Sequence, residues 1–121
     1  METLFNAKVN IIQTLDDYDK FLEETKEPII VFLEDPQLNS ICNALVQDIN
    51  HEIDCRGGIS SNVAISFVKD GIVWGFTLNE LDFTLDIKLS KFPCAVDLKD
   101  RTIIDDYTAI LREVRGILDW V

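Results

Sequence analysis

The side chains of this 121-residue chain that could do chemistry are few: three cysteines, one histidine and a scatter of carboxylates and hydroxyls. Cys42, Cys55 and Cys94 lie far apart, and no two of them have Cys-x-x-Cys spacing. Dithiol–disulfide exchange through that motif is therefore excluded. An odd number of widely spaced cysteines fits neither a disulfide framework nor a zinc knuckle. His51 is the single histidine, so neither a metal site nor a set of nucleophile, base and orienting group can be read from the spacing, and no metal or cofactor is expected. Cys42 falls on an apolar stripe with Ile41, Leu45 and Val46, the setting of a buried, inert thiol. Cys55 adjoins Arg56, a cation able to stabilise a thiolate, although an exposed, unremarkable cysteine is the simpler expectation. His51 and Glu52 face away from the stripe, as a solvated surface pair would.

The elements that must position these residues follow from periodicity. Val9, Ile11 and Ile12 suggest a short strand within Lys8 to Thr14. Leu15 to Thr25 places Leu15, Tyr18, Phe21 and Leu22 at helical spacing, with Asp16, Asp17 and Asp19 in the first turn. Glu27-Pro28 ends that helix, and Ile29 to Leu33 is a continuous apolar run suited to a central strand buried on both faces. After Glu34-Asp35-Pro36, a second helical stripe runs through Leu38, Ile41, Cys42, Leu45, Val46, Ile49 and Ile53, with Asn39 or Asp35 as its cap, and Arg56-Gly57-Gly58 closes it. Asn62 to Lys69 reads as another buried strand, ended by Lys69-Asp70-Gly71.

Two periods compete between Ile72 and Phe92. Leu81, Phe83, Leu85, Ile87 and Leu89 alternate as in a strand. Leu78, Leu81, Leu85, Leu89 and Phe92 recur as in a helix, and the Thr77/Glu80 capping box favours a helix from near Thr77. Trp74 and Phe76, set among Gly71 and Gly75, are expected first as core residues and otherwise as an exposed binding anchor. Pro93 breaks the pattern, Cys94 to Leu98 and Thr102 to Ile104 read as strands, and a last helix from Asp105 or Asp106 carries Tyr107, Ile110, Leu111, Val114, Ile117, Leu118 and Val121 on one face. Trp120, beside Val121, packs on the sheet or lies at a subunit contact.

The order β-α-β-α-β-α-β-β-α implies an α/β fold: a central mixed sheet with helices on both faces, in one domain spanning residues 1–121. The charge is lopsided, with 22 acidic against 11 basic residues and a net charge of −11. That balance disfavours nucleic acid and anionic membrane as partners and favours a basic protein surface. Without a leader pattern or an apolar span, a cytoplasmic location is expected. Strand edges leave homo-oligomerisation open.

This order, with Thr14 to Leu22 leading into Glu27 to Leu33, and Lys91-Phe92-Pro93-Cys94 leading into Ala95 to Ile103, resembles the thioredoxin fold. The resemblance implies that Pro93 is the cis-proline beside the active site, and that the vacant redox motif falls at Leu38-Asn39-Ser40-Ile41, directly before Cys42. It further implies a partner groove made by Pro36, Asn39, Ser40, Phe92 and Pro93, in which an extended segment pairs by its backbone without any cysteine. The expected function is accordingly a non-catalytic, acidic, protein-binding module. Two alternatives stand beside it. One is an atypical thiol–disulfide enzyme pairing Cys42 with Cys94, if their Cα atoms come within about 7 Å. The other is an acidic inhibitor competing with nucleic acid for a basic partner.

Overall fold

A computed structural model describes residue 5 and residues 9–26, 28–58, 63–89 and 91–119. Lys8, Glu27, Asn62, Trp120 and Val121, which the periodicity assigns to strands, turns and the last helix, lie outside the described residues. In chain order the elements are β1 (Asn10–Ile11), α1 (Leu15–Glu24), β2 (Ile29–Glu34), α2 (Ser40–Cys55), β3 (Ala64–Val68), β4 (Ile72–Val73), β5 (Phe76–Thr77), α3 (Leu78–Leu85), β6 (Cys94–Asp97), β7 (Thr102–Ile104) and α4 (Tyr107–Asp119). Among the described residues no helix is long and apolar enough to cross a membrane.

The main sheet has five strands in the order β1-β3-β2-β6-β7. β1 and β2 pair with β3 in parallel, β6 runs antiparallel to β2, and β7 antiparallel to β6. β2 is central because Ile29 to Leu33 are all buried. Side chains alternate across a strand, so Ile29, Val31 and Leu33 join one apolar cluster with α2 and α4, whereas Ile30 and Phe32 join another with α1 and α3. The mixed sheet with helices on both faces is as expected.

Local chemistry sets the helix boundaries. The Thr14 hydroxyl accepts the Asp17 amide (3.1 Å) while the Asp17 carboxylate accepts the Gln13 amide (3.0 Å), closing the start of α1. At α3 the capping box is formed: Glu80 N–H donates to Thr77 Oγ1 (3.3 Å) and Thr77 N–H to the Glu80 carboxylate (2.8 Å). This cap, together with burial of Leu81 and Leu85, decides the competition in favour of helix. The helical stripe nevertheless stops short of the Leu89 and Phe92 it was expected to include. Asp86 adopts a left-handed conformation (φ 57°) and terminates α3. Ile87 and Leu89 are then buried from the non-helical segment that follows, with Leu89 N–H bonded to the Asp82 carboxylate (2.9 Å).

A second correction concerns Lys69 to Thr77, where two successive hairpins add the two-stranded β4–β5 ribbon to the expected order. Lys69 and Ile72 exchange both backbone bonds (3.0 and 2.9 Å) around Asp70-Gly71, and Val73 pairs with Phe76 around Trp74-Gly75. Both central residues of each turn have positive φ (54° and 75°, 57° and 83°), the type I′ signature whose twist matches that of the strands. Gly71 and Gly75 adopt it freely; Trp74 does so only because its side chain is held. The Trp74 indole N–H is shared between the Ile12 carbonyl (3.0 Å) and Ser66 Oγ (3.1 Å), and the ring packs against Tyr18 and Phe32 at centroid distances of 5.0 and 6.1 Å. Ser66, a buried polar side chain in the core, also donates to the Ile12 carbonyl (3.3 Å). Trp74 is thus half-buried and ties the ribbon to Ile12 just past β1, to β3 and to α1, in line with the core expectation for it.

On the opposite face, α2 and α4 are clamped by charge. Arg56 bonds the Glu52 carboxylate (2.7 Å) and Asp119 (2.8 Å), and Arg115 bonds the second Glu52 oxygen (2.9 Å). Tyr107 donates to the Asp48 carboxylate; burial and that bond together push its phenol above the ordinary value.

Two stability measurements check this account. Trp74→Phe keeps the ring but removes the shared donor, and is expected to cost about 1 kcal/mol in urea unfolding, with Trp74→Ala costing roughly 3 kcal/mol. Hydrogen bonds from Arg56 and then Arg115 hold the Glu52 carboxyl below its usual range. The sign follows: a depressed folded-state value stabilises above the ordinary carboxylate pKa of about 4.3, and this contribution is lost as pH falls through the depressed value. Glu52→Gln should therefore be less stable than the parent by about 1 kcal/mol at neutral pH, with the gap closing on acidification.

Candidate functional site

The residues expected to form a partner groove sit at one end of the sheet. β2 runs out at Glu34 into a tight loop in which the Asp35 carbonyl accepts the Leu38 and Asn39 amides (2.9 and 3.0 Å) and the Asp35 carboxylate accepts the Gln37 amide (2.9 Å). Pro36 is buried beneath this turn. Asn39 caps α2: its Oδ1 accepts the amides of Ile41 (3.0 Å) and Cys42 (3.1 Å), while its Nδ2 donates to the Glu34 carboxylate (3.1 Å). Every polar atom of the Asn39 side chain is thereby used inside the loop. Ser40 is the first helical residue and is exposed.

Phe92 and Pro93 approach the same end from β6. The antiparallel register pairs Phe32 with Cys94, so the residues just before Cys94 lie beyond the ladder, where β2 leaves the sheet for the Asp35 loop. The Phe92–Pro93 peptide bond is cis, Pro93 is buried, and Phe92 packs half-buried against the cluster beneath α1 and α3.

Two side chains here depart from the expected pattern. Leu38 and Ile41 belong by periodicity to the buried stripe of α2, yet they are 87% and 53% exposed. The reason is the cap: the helix starts at Ser40, so Leu38 belongs to the preceding turn and Ile41 to the outer side of the first turn. Of that stripe, burial begins at Cys42 and continues through Leu45, Val46, Ile49 and Ile53.

The two thiols named as a redox pair are both free and fully buried. They pack in different clusters, Cys42 with α2 and α4 and Cys94 with α1 and α3, which places them on opposite faces of the sheet. Burial pushes the Cys42 thiol up despite an opposing backbone hydrogen bond with Glu34. Burial, with smaller contributions from Asp105 and from Cys42 itself, pushes Cys94 up to about 12. Both therefore remain thiols at neutral pH, and it is the thiolate that attacks a disulfide.

Cys55 differs in being exposed. Arg56, its sequence neighbour, is committed to Glu52 and Asp119, and the Cys55 Sγ instead faces His51 Nε2 at 3.6 Å. The signal for this pair was present in the sequence as an i,i+4 spacing. Elsewhere, Phe83 stands 91% exposed on α3, above a shallow depression lined by Phe76, Asn79, Glu80 and Thr84. Among the described residues, no group of three or more His, Cys, Asp and Glu side chains is arranged to hold a metal ion.

Comparison of the chain with protein-family models, with curated proteins and with solved structures gives no match.

The exposure pattern makes a measurable statement about the thiols. Under native conditions an aromatic disulfide reagent should titrate Cys55 alone, and Cys42 and Cys94 should react only after denaturation. Fast native reaction at Cys94, mapped by peptide mass spectrometry, would contradict the burial described above.

Proposed function

We propose that the chain is a thioredoxin-like module that binds another protein without thiol chemistry, through the end of the sheet where α2 begins. The observation that carries this reading is the exposure of Leu38 and Ile41 at the helix start, where a redox member of that family would hold its cysteines. Neighbouring large apolar side chains exposed together form the kind of patch that marks an interaction site. The strand order, the reversed β6 and the placement of α1 with α3 and α2 with α4 on opposite faces support the family assignment. Two buried thiols with raised pKa values weigh against an oxidoreductase.

The partner surface has matching chemistry. Leu38 and Ile41 call for an apolar side chain, while Glu34 at the end of β2, Asp35 in the adjoining loop and the net charge of −11 call for flanking lysines or arginines. An extended segment with an aliphatic residue between basic ones meets both requirements.

Fluorescence polarisation with synthetic peptides of that composition tests the reading. Leu38→Asp with Ile41→Asp adds negative charge, so an interaction of pure charge would strengthen; an apolar anchor predicts a loss of about tenfold or more, roughly 1.4 kcal/mol. The unfolding midpoint should not move, because both side chains are exposed. Binding that survives the double substitution would sink the proposal, as would dithiol-dependent disulfide reduction that disappears in Cys94→Ser.

A further inference from the structure

His51 and Cys55 lie one turn apart on the exposed side of α2, with Nε2 and Sγ separated by 3.6 Å. That separation is a hydrogen bond to sulfur, and it also matches a coordination geometry. Zinc bonds of about 2.3 Å to sulfur and 2.0–2.1 Å to nitrogen, at the tetrahedral angle, put the two ligand atoms about 3.6 Å apart. The pair is therefore already set at the bite of a tetrahedral chelate, on a rigid helix of 16 residues whose other side is packed against β2 and α4. The ligand types, one thiol and one imidazole, suit a thiophilic divalent cation. Arg56, the nearest cation in sequence, is drawn away onto Glu52 and Asp119.

One copy supplies two ligands, and no cluster of three metal-ligating side chains occurs among the described residues. A tetrahedral protein site needs four. We propose that His51 and Cys55 form half of a zinc-type site, and that the same pair from a second copy completes it, so that one ion bridges two chains. On binding, each Cys55 gives its proton to solvent as the metal–thiolate bond forms; no electrons move. The net charge of −11 on each copy sets the conditions for assembly. Like-charged chains repel, so the metal-free protein gains nothing from this face, and the ion with its four ligands supplies the attraction. Association is consequently metal-dependent and strengthens as salt screens the repulsion.

Cobalt(II) serves as the probe, since its sulfur-to-metal charge-transfer absorption reports a thiolate ligand. Titration of the full chain should saturate at one ion for two chains, with sedimentation velocity showing a dimer that a chelator returns to monomer. His51→Ala and Cys55→Ser should each abolish both the absorption and the dimer. Both residues are exposed, so circular dichroism should show either variant folded. Saturation at one ion per chain without dimerisation would overturn the proposal, and so would an absorption band that persists in either variant or no band at all. Peptide binding at Leu38 and Ile41 is read separately and is indifferent to this outcome.

Discussion

The constraint on which the rest of the structure depends is the burial of β2 on both faces. Five consecutive apolar residues, Ile29 to Leu33, have no solvent-facing side, so the chain must supply cover above and below them. Each such side chain contributes roughly 1.5–3 kcal/mol when removed from water, enough to dictate where every amphipathic helix goes. α2 and α4 serve Ile29, Val31 and Leu33, and α1 and α3 serve Ile30 and Phe32. The same alternation sends Cys42 and Cys94 to different sides. Cys94 lies opposite Phe32 in the ladder and points the same way, whereas α2 brings Cys42 to the side of Val31 and Leu33. Separation of the two thiols is thus a consequence of strand geometry rather than an isolated feature of the loop.

Much of this arrangement was legible because the signals were long and agreed with one another. The run Ile29 to Leu33, the Thr77/Glu80 box and, of the stripe read from Leu38 to Ile53, the part from Cys42 onward each combine a pattern with a boundary, and each became the expected element. What escaped was decided by a single residue. Asp86 in the left-handed region ends α3 while the apolar spacing runs on through Leu89. The Asp70-Gly71 turn was visible as a turn, but strands of two residues on either side of Trp74-Gly75 carry no period to detect. At the candidate site, Asn39 as cap was among the options read from the sequence. The exposure of Leu38 and Ile41 was not, because periodicity reports which side a residue takes on a helix and not whether the helix has yet begun.

The start of α2 has been given over to internal bonding. A helix N-terminus attracts an anion, a thiolate included, because its first amides lack partners and the helix dipole adds to them. Here the Asn39 side chain occupies the amides of Ile41 and Cys42, and its own amide group is held by Glu34. A carboxylate at that point places further negative charge where a thiolate would have to form. The acidic loop and the occupied amides act in the same direction, against charge on sulfur, and burial of Cys42 does so again. A cysteine placed at position 39 would remove the cap and still leave Glu34 beside the new thiol. The loop is consequently closed by its own hydrogen bonds. With the Ile41 and Cys42 amides occupied and the thiol protonated, what this end of the sheet leaves exposed is the pair of apolar side chains Leu38 and Ile41, whose exposure the same cap creates.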